Sequence, residues 1–133
     1  MHQKFGVNEK VREFDKEKLL AFLEFRIKFL QEELDEMKKA KAEYEAKEIS
    51  GVQAGDDIVD ALIDMCVVAI GTLDAFDVNS HLAWTRVHVA NMDKEVGIKP
   101  SRPNPMGLPD LIKPARWTPP FHYDNIGLLS KLD

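Results

Sequence analysis

Between Leu23 and Met37 the apolar residues Leu23, Ile27, Leu30, Leu34 and Met37 recur at steps of four, three, four and three. This is the stripe of a helix packing on one side, and it predicts a helix from about Asp15. Lys38, Lys39 and Lys41, followed by Glu43, Glu45 and Glu48, read as a solvated extension of that helix, which SGVQAG from Ser50 breaks. The next segment, about Val52 to Phe76, differs: Ile58, Val59, Ala61, Leu62, Ile63, Met65, Val67, Val68 and Ile70 leave almost no polar face. It is expected to be the central, most buried helix. Asn79 or Ser80 can cap a further helix through about Glu95, with Gly97 as its stop signal. Residues 1–15 read as a polar lead with one apolar cluster at Phe5 and Val7. Short connections favour antiparallel neighbours, so the expected fold is all-α, an antiparallel helical bundle of four-helix type.

All seven prolines fall between Pro100 and Pro120, which separates a helix-permissive body from an extended stretch. The expected division is a helical catalytic domain, 1–98, and an extended Pro-rich C-terminal tail, 99–133, packing on that domain or on a neighbouring subunit. At 133 residues one core is accommodated and a second is not. Acidic residues outnumber basic ones, 23 to 18, which argues against a nucleic-acid-binding surface. The opening MHQKFGVNEK lacks an apolar signal core and MCVVAIG is too short to cross a bilayer, so no membrane association and a cytoplasmic location are expected. Cys66, the only cysteine, falls in that apolar run and is expected to be a buried core thiol.

Charge enters the picture on the two long helices. Glu33 and Glu36 are three apart on the first, and Asp57, Asp60 and Asp64 follow steps of three and four on the second. Carboxylates at that spacing share a helix face. The helix macrodipole accounts for Asp56 and Asp57 at the start of the second helix but fades within a turn, leaving Asp60 and Asp64. Glu32, Glu33 and Glu36 flank the seam of Leu30, Leu34 and Met37, so the acidic groups can meet across one interface. Two like charges about 4 Å apart repel by roughly 4 kcal/mol at an effective dielectric near 20. A divalent cation removes that penalty, and an oxygen-only donor set favours magnesium over zinc or a di-iron centre. Ion pairs with Lys or Arg are the competing explanation.

These residues resemble the all-α nucleoside triphosphate pyrophosphohydrolases, in particular the short single-domain MazG-like proteins that phages carry. The family pattern E-E-x-x-E and E-x-x-D is met by Glu32, Glu33 and Glu36, then Asp57 and Asp60, with Asp57 standing where the family usually has Glu. DALIDMCVVAIGT resembles the family's DALADLLYVVYGT, VHVANMDKEVG its V-H-x-x-N-M-x-K stretch, and DLIKPARWTPP a tail of related short proteins. The likeness runs from about Phe22 to Pro120.

What the resemblance implies is a hydrolase converting a (d)NTP and water to (d)NMP and pyrophosphate by attack at the α-phosphorus. Glu33, Glu36, Asp57 and Asp60 would then be metal ligands for Mg2+, with Mn2+ as substitute. Glu32 would hold a further ion or activate the water, and Asp64 would support from behind, an ion pair being an equal alternative. Asn91 and Lys94, three apart, become phosphate contacts by the same matching. Arg26 reads better as a structural ion pair than as a phosphate contact. Trp84, His81 and His88 read better as core or interface than as base-stacking groups, and Trp117 as an anchor of the tail across another subunit. Guanine, as dGTP, is the favoured base, and a homo-oligomer, dimer or dimer of dimers, is the expected assembly. Two other readings stay open: a phosphoribosyl-ATP pyrophosphohydrolase, and a non-catalytic helical adaptor with an acidic patch.

Overall fold

The computed structural model describes residues 6–99 and 106–133. Its elements are α1 (Val7–Arg12), α2 (Lys16–Glu45), α3 (Gly51–Ala75), α4 (Ser80–Met92), β1 (Glu95–Gly97), β2 (Asp110–Ile112) and a C-terminal 3-10 helix (Gly127–Leu132). The chain is mostly helical. It groups into two compact units, one running to Val78 and taking in Ile126–Asp133, the other being Asn79–Asn125.

In the first unit, side-chain caps start the long helices and left-handed residues help to end them. Asp15 accepts from the Lys18 N–H at 2.9 Å and Ser50 Oγ from the Gln53 N–H at 3.1 Å, each satisfying a donor that the first helical turn leaves orphaned. Lys47 and Asp77, at φ 61° and 59°, take the left-handed position after α2 and α3. Behind them the N–H groups of Glu48 and Val78 reach back to the carbonyls of Glu43 and Leu73, which closes both helices in Schellman fashion. The short loop 46–50 makes α2 and α3 an antiparallel pair.

The core lies at the end of that pair remote from the loop. Val11, Leu19, Ala75 and Phe76 are buried there, with Phe14, Phe22, Leu23, Leu128 and Leu129 packed around them. Phe22 meets Phe76 edge to face with ring centroids 5.7 Å apart, the favoured aromatic geometry. Residues 7–12, read from sequence as polar lead, form α1 because Val11 enters this core while its polar neighbours bind the end of α3. Asn8 Nδ2 donates to Asp74 Oδ2 at 2.9 Å, and Arg12 grips Asp77 through two bonds of 3.0 and 3.1 Å. Phe5 lies outside the described residues.

Burial of α3 departs from the sequence expectation. Val59 and Ile63 are about three-fifths exposed, Val67 and Ile70 nearly half, and Cys66 is exposed rather than a core thiol. An all-round apolar helix needs covering on every side, and within one chain α2 and α1 reach only part of it.

The second unit holds α4, capped by Asn79, whose Oδ1 accepts from the Leu82 N–H at 3.0 Å. Asn125 clamps the Asn79 backbone by donating to its carbonyl and accepting from its N–H, both at 2.9 Å. Arg86 donates twice to Asp124, at 2.5 and 3.0 Å, and its guanidinium lies 4.4 Å from the Phe121 ring centre. The expected helix to Glu95 stops at Met92, and Gly97 is no stop signal. Glu95, Val96 and Gly97 instead pair antiparallel with Ile112, Leu111 and Asp110. Gly97 has its own reason: a Cβ there would lie 2.7 Å from Ile112 Cδ1.

The described part of the Pro-rich segment is likewise not uniformly extended. After β2 it turns at Pro114–Trp117, and from Ile126 it rejoins the first unit. Trp117, expected to reach another subunit, donates its indole N–H to Ala90 O of its own chain at 2.6 Å.

The return is a latch. The Leu128 N–H donates to Phe76 O at 2.7 Å, and Lys131 Nζ donates to the carbonyls of Arg12 and Phe14 at 2.8 and 2.9 Å. Gly127 makes it possible, with φ of 54° and room for no Cβ, since one would fall 1.9 Å from Phe76 O. Gly127→Ala is expected to displace the latch and lower stability by about 2 kcal/mol, roughly 8 °C in Tm. Thermal unfolding followed by circular dichroism measures it, and an unchanged Tm would remove the latch from the account.

Candidate active site

Small side chains set the spacing of α2 and α3. Ala54 and Ala61, seven apart on α3, and Ala40 on α2 are all buried. A row of alanines at that interval faces one way along a helix and lets a partner backbone approach closely. The acidic residues flank this row, so close approach of the helices brings them together.

Glu33 is half-buried on α2. Its Oε2 is buried and has no hydrogen-bond partner among the described residues. Burial raises its pKa above the ordinary glutamate value, and the negative charges of Glu36, Asp64 and Asp60 raise it further. Three carboxylates, one from α2 and two from α3, thus act on Glu33. Asp57 joins from one turn away: with Glu36, Asp60, Lys39, Ala40 and Glu43 it lines a cavity of about 230 Å³. Gln53 Nε2 donates to Asp57 Oδ1 at 2.9 Å and fixes that shorter arm.

The donor set is all oxygen, crowded and uncompensated at Glu33, which fits a hard divalent cation. Among the described residues, no group of three or more His, Cys, Asp or Glu side chains is arranged to hold a metal ion as it stands. The carboxylates share a face and a field without being closed around one point. Glu32 is exposed on α2. Asn91, exposed near the end of α4, and Lys94, half-buried just before β1, belong to the second unit.

Two neighbours were not singled out from sequence. Lys39, read as part of a solvated extension, lines the acidic cavity and lies 3.6 Å from Glu43. Gln53, inside the loop-like SGVQAG, is the side chain that orients Asp57; its i,i+4 spacing to Asp57 was the available signal. Arg26 is buried, donating Nε to Thr72 Oγ1 at 2.8 Å and a terminal N–H to Val68 O at 3.0 Å, with Phe22 and Phe29 against its guanidinium. These bonds tie α2 to α3, a structural role as preferred for Arg26 from sequence, made through a hydroxyl and a carbonyl.

Residues 2–91 match the family described as phosphoribosyl-ATP pyrophosphohydrolase, over α2, α3 and nearly all of α4. The chain belongs to that family. The family is part of the MazG-like all-α nucleoside triphosphate pyrophosphohydrolase superfamily, so the chain falls among enzymes acting on nucleotide phosphoanhydride bonds. The β-ribbon and the segment around Trp117 lie beyond the matched residues. No curated protein and no solved structure matched the chain.

The raised pKa of Glu33 has a stability consequence with a definite sign. Its ionised form is disfavoured in the fold, so the penalty is absent below the unfolded pKa of about 4.3 and grows as pH rises through the folded value. Glu33→Gln is therefore expected to raise Tm at pH 7 in EDTA and to leave it unchanged at about pH 4. Melts at the two pH values test this, and equal shifts at both would exclude electrostatic strain at Glu33.

Proposed function

We propose that the protein is a divalent-cation-dependent nucleoside triphosphate pyrophosphohydrolase, converting a (d)NTP and water to (d)NMP and pyrophosphate, with dGTP as leading substrate. The observation that carries the reading is the meeting of Glu33, Glu36, Asp60 and Asp64 across α2 and α3, with a buried oxygen of Glu33 left unpartnered. An adaptor that only displayed an acidic patch would have no reason to turn one of its carboxylates inward.

Glu33, Glu36, Asp57 and Asp60 would hold Mg2+ or Mn2+. Such ions, when bound, offset the charge of the phosphates and lower the pKa of bound water. The chain's own residues then divide the work. Glu32, adjacent in sequence and exposed, accepts the proton of the attacking water as its oxygen bonds to the α-phosphorus. The bond from the α-phosphorus to the bridging oxygen breaks, and pyrophosphate leaves. Asp64 acts on Glu33 through its charge, disfavouring the ionised form of that carboxylate until a cation intervenes. Asn91 and Lys94 are assigned to phosphate oxygens by the likeness of VHVANMDK to the family, one as amide donor and one as ammonium. The preference for guanine rests on the likeness of DLIKPARWTPP to the tail of short phage-type relatives. A second reading has its own support: the matched family is named for phosphoribosyl-ATP, whose reaction breaks the same kind of bond.

A panel of dGTP, the other common nucleotides and phosphoribosyl-ATP, with Mg2+, Mn2+ or EDTA, decides among these by monophosphate and pyrophosphate release. Turnover is expected only with divalent cation, fastest with dGTP, and reduced at least about 100-fold by Glu36→Ala or Asp60→Ala. Release from phosphoribosyl-ATP alone would select the second reading, and no release from any substrate would leave the adaptor. Mg2+ at about 100 times its Kd is expected to add about 2.7 kcal/mol to the stability of the unmutated protein.

We also propose that α3 is covered by a second copy. Val59, Ile63, Val67 and Ile70 form an exposed apolar row on a helix whose other face carries the acids. No helix among the described residues is long and apolar enough to cross a membrane. Ile63→Asp is expected to convert the sedimenting species to monomer, and a protein already monomeric before substitution would refute the assembly.

A further inference from the structure

The second unit contains a cavity of about 360 Å³ lined by Asp93, Glu95, Pro114, Arg116, Trp117 and Thr118. Trp117 in its wall is fixed by two bonds: the indole N–H to Ala90 O at 2.6 Å and the backbone N–H to Pro114 O at 2.9 Å. Lys94 and Lys113 both approach that indole, their ammonium nitrogens 5.4 and 4.9 Å from the ring centre.

The β-ribbon explains why they meet. Glu95 pairs with Ile112, so one residue further along the same register sets Lys94 opposite Lys113. Like charges facing one another across strands are destabilising, and Arg116 adds a third cation to the same neighbourhood. The only ion pairs among the described residues lie elsewhere, at Arg12, Lys39, Lys41 and Arg86. Contact with the indole face offsets a little of the repulsion and leaves the charge in place. Asp93 and Glu95 also line the cavity as acceptors, and neither forms an ion pair within 4.0 Å with these cations. Three unpaired cations, a fixed aromatic and two acceptors suit a ligand that combines phosphate anions with N–H or O–H donors.

We infer that the surface around Trp117 is a nucleoside polyphosphate subsite, in which Arg116 from the cavity wall, with Lys113 and Lys94 at the indole, takes the phosphates. The inference rests on the proposed reaction only for the class of ligand. It adds two phosphate-binding residues from a segment beyond the family match, and makes Trp117 a reporter.

The test is fluorescence titration of the full-length Trp84→Phe protein, in which Trp117 is the remaining tryptophan, in EDTA so that cation-mediated binding is removed. The probes are a non-hydrolysable dGTP analogue, pyrophosphate and deoxyguanosine. Saturable quenching by the analogue and by pyrophosphate is expected. Lys113→Ala and Arg116→Ala, at unchanged Tm, are each expected to weaken both ligands about tenfold, the scale of one hydrogen bond to a charged group. Affinities unchanged in both variants, no response to either phosphate ligand, or deoxyguanosine binding as tightly as the analogue would each overturn the subsite. Absence of hydrolysis alongside the expected quenching would defeat the proposed reaction and leave the subsite intact.

Discussion

Close approach of α2 and α3 is the constraint from which the rest of the first unit follows. Buried alanines at positions 40, 54 and 61 remove the bulk that would otherwise hold two helices further apart. Carboxylates that flank this row cannot avoid one another: Glu33 feels Glu36, Asp60 and Asp64 together, and its inner oxygen has no donor to offset them. Packing energy from the Phe22–Phe76 core, Arg26 bonded across to Val68 and Thr72, and the Arg12–Asp77 pair hold the hairpin closed against that repulsion. The strain therefore sits at one end of the pair and its restraint at the other. A fold organised in this way concentrates negative charge before any reaction is considered, and that charge is what the proposed cations would offset.

The parts of this arrangement legible in the sequence are those fixed by local rules. Apolar patterning placed α2 and α3, and Asn79 or Ser80 was read as the cap of α4, because 3.6-residue rhythm and side-chain caps act within a few residues. Spacing of three and four put Glu33, Glu36, Asp60 and Asp64 on facing stripes, and the structure brings these four together. What escaped was set by partners far along the chain. Glu95–Gly97 continues a helical pattern in sequence, yet it is a strand because Asp110–Ile112 returns to pair with it. The hydrophobicity of α3 gave its character correctly and its burial wrongly, since no pattern within one chain says whether a neighbour or a second copy does the covering.

The C-terminal return shows the same division. Nothing in the local composition of Gly127–Leu132 marks it as a latch, because its binding partners, Phe76 O and the carbonyls of Arg12 and Phe14, are helix-end groups. Those carbonyls need donors once the helices stop, and a lysine ammonium with three N–H bonds to give can satisfy two at once. The latch is thus a consequence of ending α1 and α3 at the same corner, and Gly127 is its geometric condition. It also ties the last residues of the chain to the helix that carries Asp57, Asp60 and Asp64.

An enzyme of nucleotide phosphoanhydrides with a net charge of −5 faces a problem of sign, since its ligands are anions. At physiological ionic strength the screening length is about 8 Å, so distant charges matter little and only cations close to the phosphates count. The carboxylates of α2 and α3 can approach phosphate only with cations between them. The second unit answers differently, by using β-pairing to set two lysines against one indole with an arginine beside them. Repulsion among like charges is then the common principle of both clusters, acids on the helices and bases on the ribbon, each left incomplete until a counter-charge arrives. In this reading the segment beyond the family match is where the chain adds its own means of holding an anion, and the proposed cation site lies on the matched helices.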